Sequence, residues 1–114
     1  FQTQTHAARD GDRARSRPIV LLVDSETASG AEWFAAALID SGRASAIVQR
    51  TRGRGDIQTV IPLDARRAWL ALTSGALVSP SGARIEAGIE PTENVPPSDS
   101  GRDYALERAL ELLR

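Results

Sequence analysis

A proline followed by five unbroken apolar residues, Pro18 to Val23, leaves few folds open to this chain. Such a run has no polar face, so it reads as a strand covered on both sides, the kind found in parallel sheets. The segment after it, Ser25-Glu-Thr-Ala-Ser-Gly-Ala-Glu-Trp, opens as a polar turn and becomes alanine-rich. It predicts a helix from about Gly30 to Ser41, with Gly42 as the C-terminal stop. Residues 45–49, Ser-Ala-Ile-Val-Gln, read as a second buried strand. Strand, helix, strand at this spacing is a parallel βαβ unit.

Beyond residue 55 the pattern alternates. Residues 56–63, 67–79 and 83–88 predict short antiparallel strands beside the parallel core, separated by turn signals at Leu63-Asp64 and Pro80-Ser81-Gly82. Residues 89–101 carry three prolines and read as a surface connection. Residues 102–114 predict an amphipathic helix, with Tyr104, Leu106, Leu110 and Leu113 as its packing residues. Residues 1–17 are polar and arginine-rich; their beginning suits a strand and the rest an exposed loop. The expectation is one α/β domain, or part of one, over 18–114, with 1–17 as a lead-in from an upstream segment. The chain opens on Phe1.

Several function classes are disfavoured by composition. The net charge is −1, so no strong field gathers nucleic acid or an anionic membrane. There is no cysteine and a single histidine, His6, so thiolate and imidazole metal sites are not expected, nor any cofactor. No apolar run reaches membrane-spanning length. All fourteen basic residues are arginine. Arg50, Arg52 and Arg54 alternate with Thr51 and Gly53, but the stretch is too short and too poor in aromatics for an RNA-binding tail. Arg54-Gly55-Asp56 as an adhesion tripeptide is a three-residue match of the sort chance supplies. The glycines suit a tight turn between strands. Trp33 and Trp69 read as core or domain-contact residues. Left uncovered, they favour self-association of the fragment.

Ser29 stands between the first strand and the first helix, where the loops of a parallel sheet collect ligands and reacting groups. A serine beside free N–H groups and the positive end of a helix suits a developing oxyanion. The same Ser29 with Glu32 makes S-x-x-E, a capping box in which each side chain serves the other's backbone. Spacing alone leaves both readings open.

Residues 20–63, with "LTSGALVSPSGARIEAGIEPTENV" and "RDYALERALELL" after them, resemble the C-terminal-processing, or tail-specific, serine peptidases across about residues 18–113. The resemblance implies a crotonase- or ClpP-like core and a serine peptidase that cleaves proteins near their carboxyl end. By position it makes Ser29 the nucleophile, Gly30 a backbone oxyanion donor, Glu32 the acidic residue that follows the serine, and Gln58 the support of the base. It also implies peptide carboxyl-terminal tails as partners and a periplasmic or exported location. A further strand and glycine turn, supplying a second oxyanion donor, and a peptide-binding module are expected upstream.

One position departs from the pattern. The family's base is a lysine in Gly-Lys-Gly, and here the residue is Arg54. A Ser–Lys dyad needs an amine that can shed its proton. A guanidinium, with a pKa above about 12, does not. Two readings follow: a peptidase-like domain that binds or scaffolds without cleaving by that route, or a site whose base comes from an upstream segment or another subunit.

Overall fold

The computed structural model describes residues 2–64, 67–98 and 101–114. Strand β1 (Val20–Val23) leads through helix α1 (Gly30–Asp40) to β2 (Ser45–Val48). The two strands pair in parallel, Val20 opposite Ser45 and Val23 opposite Val48. The βαβ unit expected from the apolar runs is therefore present. Helix α1 ends as its sequence predicts: Ser41 closes the last turn and Gly42 follows at φ 66°.

Alternation along β2 divides the interior between the two faces of the sheet. Ala46, fully buried, packs with Val23 and with Ala35 of α1, joined by Leu21, Ile39 and Ile89. Ile47 points the other way and packs with Val95 and Ala109, joined by Val20, Val48 and Tyr104. Ala109 and Tyr104 belong to α2 (Tyr104–Leu112), so a helix covers each side of the sheet.

The third strand of this sheet is β5, Glu93–Asn94, parallel to β2 through Ile47–Glu93 and Val48–Asn94. The sequence reading assigned this proline-rich stretch to a surface connection. Its two ordered residues, fixed by the Thr92 N–H on the Ala46 carbonyl and the Val95 N–H on the Val48 carbonyl, are too few to show a period.

Strands β3 (Asp56–Pro62) and β4 (Trp69–Ala76) form a separate antiparallel hairpin, with a register shift between Ile57 and Gln58. The third expected antiparallel strand does not form. Residues Ile85–Ala87 make one 3₁₀ turn, closed by Gly88 at φ 74°, and beside it Val78 and Arg84 form a single antiparallel bridge. Alternating apolar residues suit either element, and the positive-φ glycine turns the chain back after three residues.

Helix α2 starts two residues inside the expected 102–114, with Asp103 as its cap accepting the Leu106 N–H at 3.0 Å. Its packing face differs from the prediction. Tyr104 packs on the Ile47 cluster as expected, but Leu106, Leu110 and Leu113 are 49%, 50% and 40% exposed, and Ala109 is the buried residue. Trp69 is likewise exposed on β4, whereas Trp33 is half-buried, with the His6 ring edge-on to it at 5.5 Å. The lead-in carries no regular strand over its described residues. It turns on Asp12, whose carboxylate accepts the Ala14 and Ser16 N–H groups and pairs with Arg43 at 3.3 Å.

Candidate active site

The carboxyl end of β1 runs into a turn locked by its own side chains. Asp24 Oδ1 accepts the N–H groups of Glu26 and Thr27 at 2.9 and 3.0 Å, and the Asp24 N–H donates to Thr27 Oγ1. Two residues on, Ser29 adopts φ 55°, ψ −122°. Positive φ is uncommon for a residue with a Cβ and costs about 1–3 kcal/mol where it persists. An ordinary N-cap sits in the extended region instead. Both halves of the capping box read from the sequence are in place: the Ser29 N–H donates to Glu32 Oε2 at 2.8 Å, and the Ser29 side chain faces the Glu32 N–H. The Ser29 hydroxyl lies on the capping side of the helix but forms no full cap hydrogen bond. Ser29 is solvent-exposed at the start of α1, beside a Gly30 N–H that no acceptor of the described residues takes up. Ser29 is thus an exposed residue in a strained turn, and its positive φ is more than a cap alone requires.

Glu32 is fully buried and does more than complete that box. Its Oε2 also accepts the Arg54 N–H at 2.8 Å, and its Oε1 accepts the Gly53 N–H at 2.7 Å and the Thr51 hydroxyl. Burial pushes this carboxyl up, but the Thr51 hydroxyl and the N–H groups of Gly53, Arg54 and Ser29 outweigh it. The carboxyl is held below its usual range, ionised at neutral pH. One carboxylate therefore joins the first turn of α1 to the loop that follows β2.

That loop is fastened on both sides. Toward the β1 turn, the Arg52 N–H donates to the Thr27 carbonyl, and the Arg52 guanidinium pairs with Glu26 at 2.5 Å. Toward the 3₁₀ turn, Arg50 Nε donates to the Ala87 carbonyl at 3.0 Å and pairs with Glu90. Gly53, at φ 80°, passes so close that a Cβ would lie 2.6 Å from the Glu86 carbonyl oxygen. Two of the three clustered arginines are thus structural clamps. Among the described residues the Arg54 guanidinium has neither an ion pair nor a hydrogen bond.

Ser29, Arg54, Asp56 and Gln58 line one cavity of about 300 Å³. Residues two apart on an extended segment share a face, which brings 54, 56 and 58 to the same opening. Of the residues singled out from sequence, Ser29, Arg54 and Gln58 meet here. Gly30 adjoins them at the helix start, and Glu32 lies behind them, buried. Asp56 was not singled out; the same alternation that joins 54 and 58 points to it. Its Oδ2 accepts Gln58 Nε2 at 3.3 Å. Thr51, nineteen residues from Glu32 in the chain, has no local signal to mark it. Among the described residues no group of His, Cys, Asp or Glu could hold a metal ion.

A serine in a strained strand-to-helix turn, facing residues from a glycine loop and the next strand, is an arrangement that can be compared with known proteins. The sequence profile of peptidase family S41 matches residues 2–95. The chain belongs to this family. Among its relatives, the carboxy-terminal-processing protease of Bartonella bacilliformis is 36% identical over 104 residues, covering 87% of this chain and 24% of that protein. The carboxyl-terminal-processing protease of Synechocystis is 34% identical, covering 97% and 28%. Chloroplast members from Arabidopsis thaliana also match. The solved photosystem II D1 C-terminal processing protease superposes with a TM-score of 0.68 at 34% identity, over 87% of this chain and 25% of its own. Mature CPAF complexed with lactacystin gives 0.62 at 29% identity, over 87% and 19%. The S41 resemblance read from the motifs is the family found, and the α/β architecture is that of its solved members. The chain spans about a quarter of the length of the relatives it matches.

Proposed function

We propose that residues 18–114 are the carboxyl-terminal part of an S41 catalytic core, preceded by the lead-in 1–17, in which Ser29 is the acyl acceptor. In the reaction the family runs, Ser29 Oγ attacks a peptide carbonyl near the end of a protein chain. The oxyanion is met by the Gly30 N–H, the amine leaves, and water releases the acyl group. Glu32 orients the loop, and Gln58 supports the residue at the base position. The observation that carries this reading is Ser29 at positive φ on the cavity it shares with Arg54 and Gln58.

The base is where this chain departs. The proton of Ser29 has to move to a neighbouring acceptor as the C–O bond forms, and a guanidinium has no lone pair to offer near neutral pH. Cleavage by the Ser–Lys route is therefore absent or strongly impaired, leaving a site that holds carboxyl-terminal tails of proteins or peptides. The Arg54 guanidinium, unpaired among the described residues, favours a second reading, a domain that binds such tails and never cleaves. An exported or periplasmic location, or a chloroplast compartment as for the Arabidopsis relatives, fits either.

The test is Arg54→Lys in the longest form of the polypeptide that expresses. General-base catalysis supplies about 10²–10⁴-fold, so cleavage of unstructured carboxyl-terminal tails should rise by at least about a hundredfold. If the variant stays silent while tail peptides still bind, the non-catalytic reading holds.

A further inference from the structure

We propose that Thr51 is a positioning residue: its hydroxyl links the turn at 85–89 to the buried Glu32 carboxylate and so fixes the segment that carries Arg54 to the Ser29 cavity.

Thr51 is 5% exposed. Its Oγ1 accepts the Ile89 N–H at 2.8 Å and donates to Glu32 Oε1. A hydroxyl has one proton. Because Ile89 already brings a hydrogen to Oγ1, the Thr51 proton is committed to the carboxylate, and the direction of the relay is set. The backbone repeats the link, since the Thr51 N–H donates to the Ile89 carbonyl at 3.1 Å. Gly88 lets the two chains approach this closely: a Cβ there would lie 2.7 Å from the Thr51 carbonyl oxygen.

Each oxygen of Glu32 takes two donors: Oε1 those of Thr51 and Gly53, Oε2 those of Ser29 and Arg54. The Thr51 hydroxyl is the only side-chain donor of the four, and the only one tied to a third segment. Without it, the carboxylate keeps its bonds to α1 and to the loop but loses its anchor to the 85–89 turn. The Ile89 N–H loses its acceptor at the same time.

Two substitutions separate the hydroxyl from packing. Thr51→Val keeps the branched shape and removes both hydrogen bonds; Thr51→Ser keeps both bonds and removes a methyl group. Residue-resolved amide exchange by NMR is measured on wild type and both variants, together with the carboxyl titration of Glu32. In Thr51→Val, exchange at Gly53 and Arg54 should rise by about tenfold or more, the effect of losing a hydrogen bond to a charged group. The Ala46 and Ile47 amides should not change. The Glu32 midpoint should move up, because a donor to the charged form is gone. Thr51→Ser should match wild type in all three.

Unchanged protection at Gly53 and Arg54 in Thr51→Val overturns the proposal. So does an equal loosening of Ala46 and Ile47, or loss of loop protection in Thr51→Ser. Should Thr51→Val not fold, Thr51→Ser decides alone: retained loop protection supports the hydroxyl, and lost protection overturns it. The consequence for catalysis rests on the role given to Ser29 above. The exchange measurement makes no use of Arg54→Lys, so its failure is distinct from failure of reactivation.

Discussion

Ser29 and Glu32 look alike on paper, two members of one capping box, yet the fold uses them differently. Ser29 stays exposed at positive φ, and Glu32 disappears beneath it as acceptor for four donors from two segments. Glu32→Gln tests this directly. An amide offers one oxygen where the carboxylate used two, so a donor would be turned against N–H donors on one side. The expected loss is on the order of 3 kcal/mol of unfolding free energy, read from urea denaturation at neutral pH. The pH dependence has a definite sign. The Glu32 carboxyl is lowered in the folded chain, so its contribution is fully present above the unfolded value, near 4.5. It is lost as pH falls through the folded value. Below that range wild type and Glu32→Gln should converge, since the protonated acid resembles the amide. A constant gap at all pH values would contradict the ionised role of Glu32. The serine and its partner were legible from S-x-x-E spacing. The four-donor arrangement was not, because three of its donors come from residues about twenty positions away.

At the scale of elements, the loop between β2 and β3 is shaped by what it passes. Gly53 and Gly82 both have positive φ, but only Gly53 is crowded: a Cβ at Gly82 meets nothing within 4 Å. Gly82→Ala should therefore cost only the backbone term, about 1 kcal/mol. Gly53→Ala should cost clearly more and loosen the Arg54 loop, as seen by thermal unfolding and amide exchange; equal costs would contradict the close approach to Glu86. What sequence could and could not give divides along similar lines. The βαβ unit was readable because its strands are continuous apolar runs and its helix ends at a glycine. Strand β5 was not, since two residues between prolines carry no period. Helix α2 misled through its leucines: the small Ala109 packs against Ile47, while Leu106 and Leu110 point away. Hydrophobic periodicity marks a face that can be covered, and close approach to a sheet favours the smaller side chain.

The whole molecule has an interior divided between two small clusters and a hairpin standing apart from them. Val60 and Trp69, both 58% exposed, lie on that hairpin with Leu70 and Leu72. Two strands alone are marginal in water, and apolar patches of this kind favour association. The isolated chain is expected to self-associate through the hairpin. Val60→Thr with Trp69→Thr should shift sedimentation toward the monomer, and an unchanged profile would place any association elsewhere. The net charge of −1 leaves no strong field at this scale. At the opening of the cavity, however, Arg54 is a cation without a partner among the described residues.

The central claim is that this cation stands where a proton acceptor is needed. Phosphonylation of Ser29 by a fluorophosphonate, followed by intact mass between about pH 6 and 9, reads that step without a natural substrate. Wild type should label negligibly at every pH, and Arg54→Lys should label at a rate that climbs with pH as the amine deprotonates. Rapid labelling of wild-type Ser29, unchanged by the lysine, would contradict the claim.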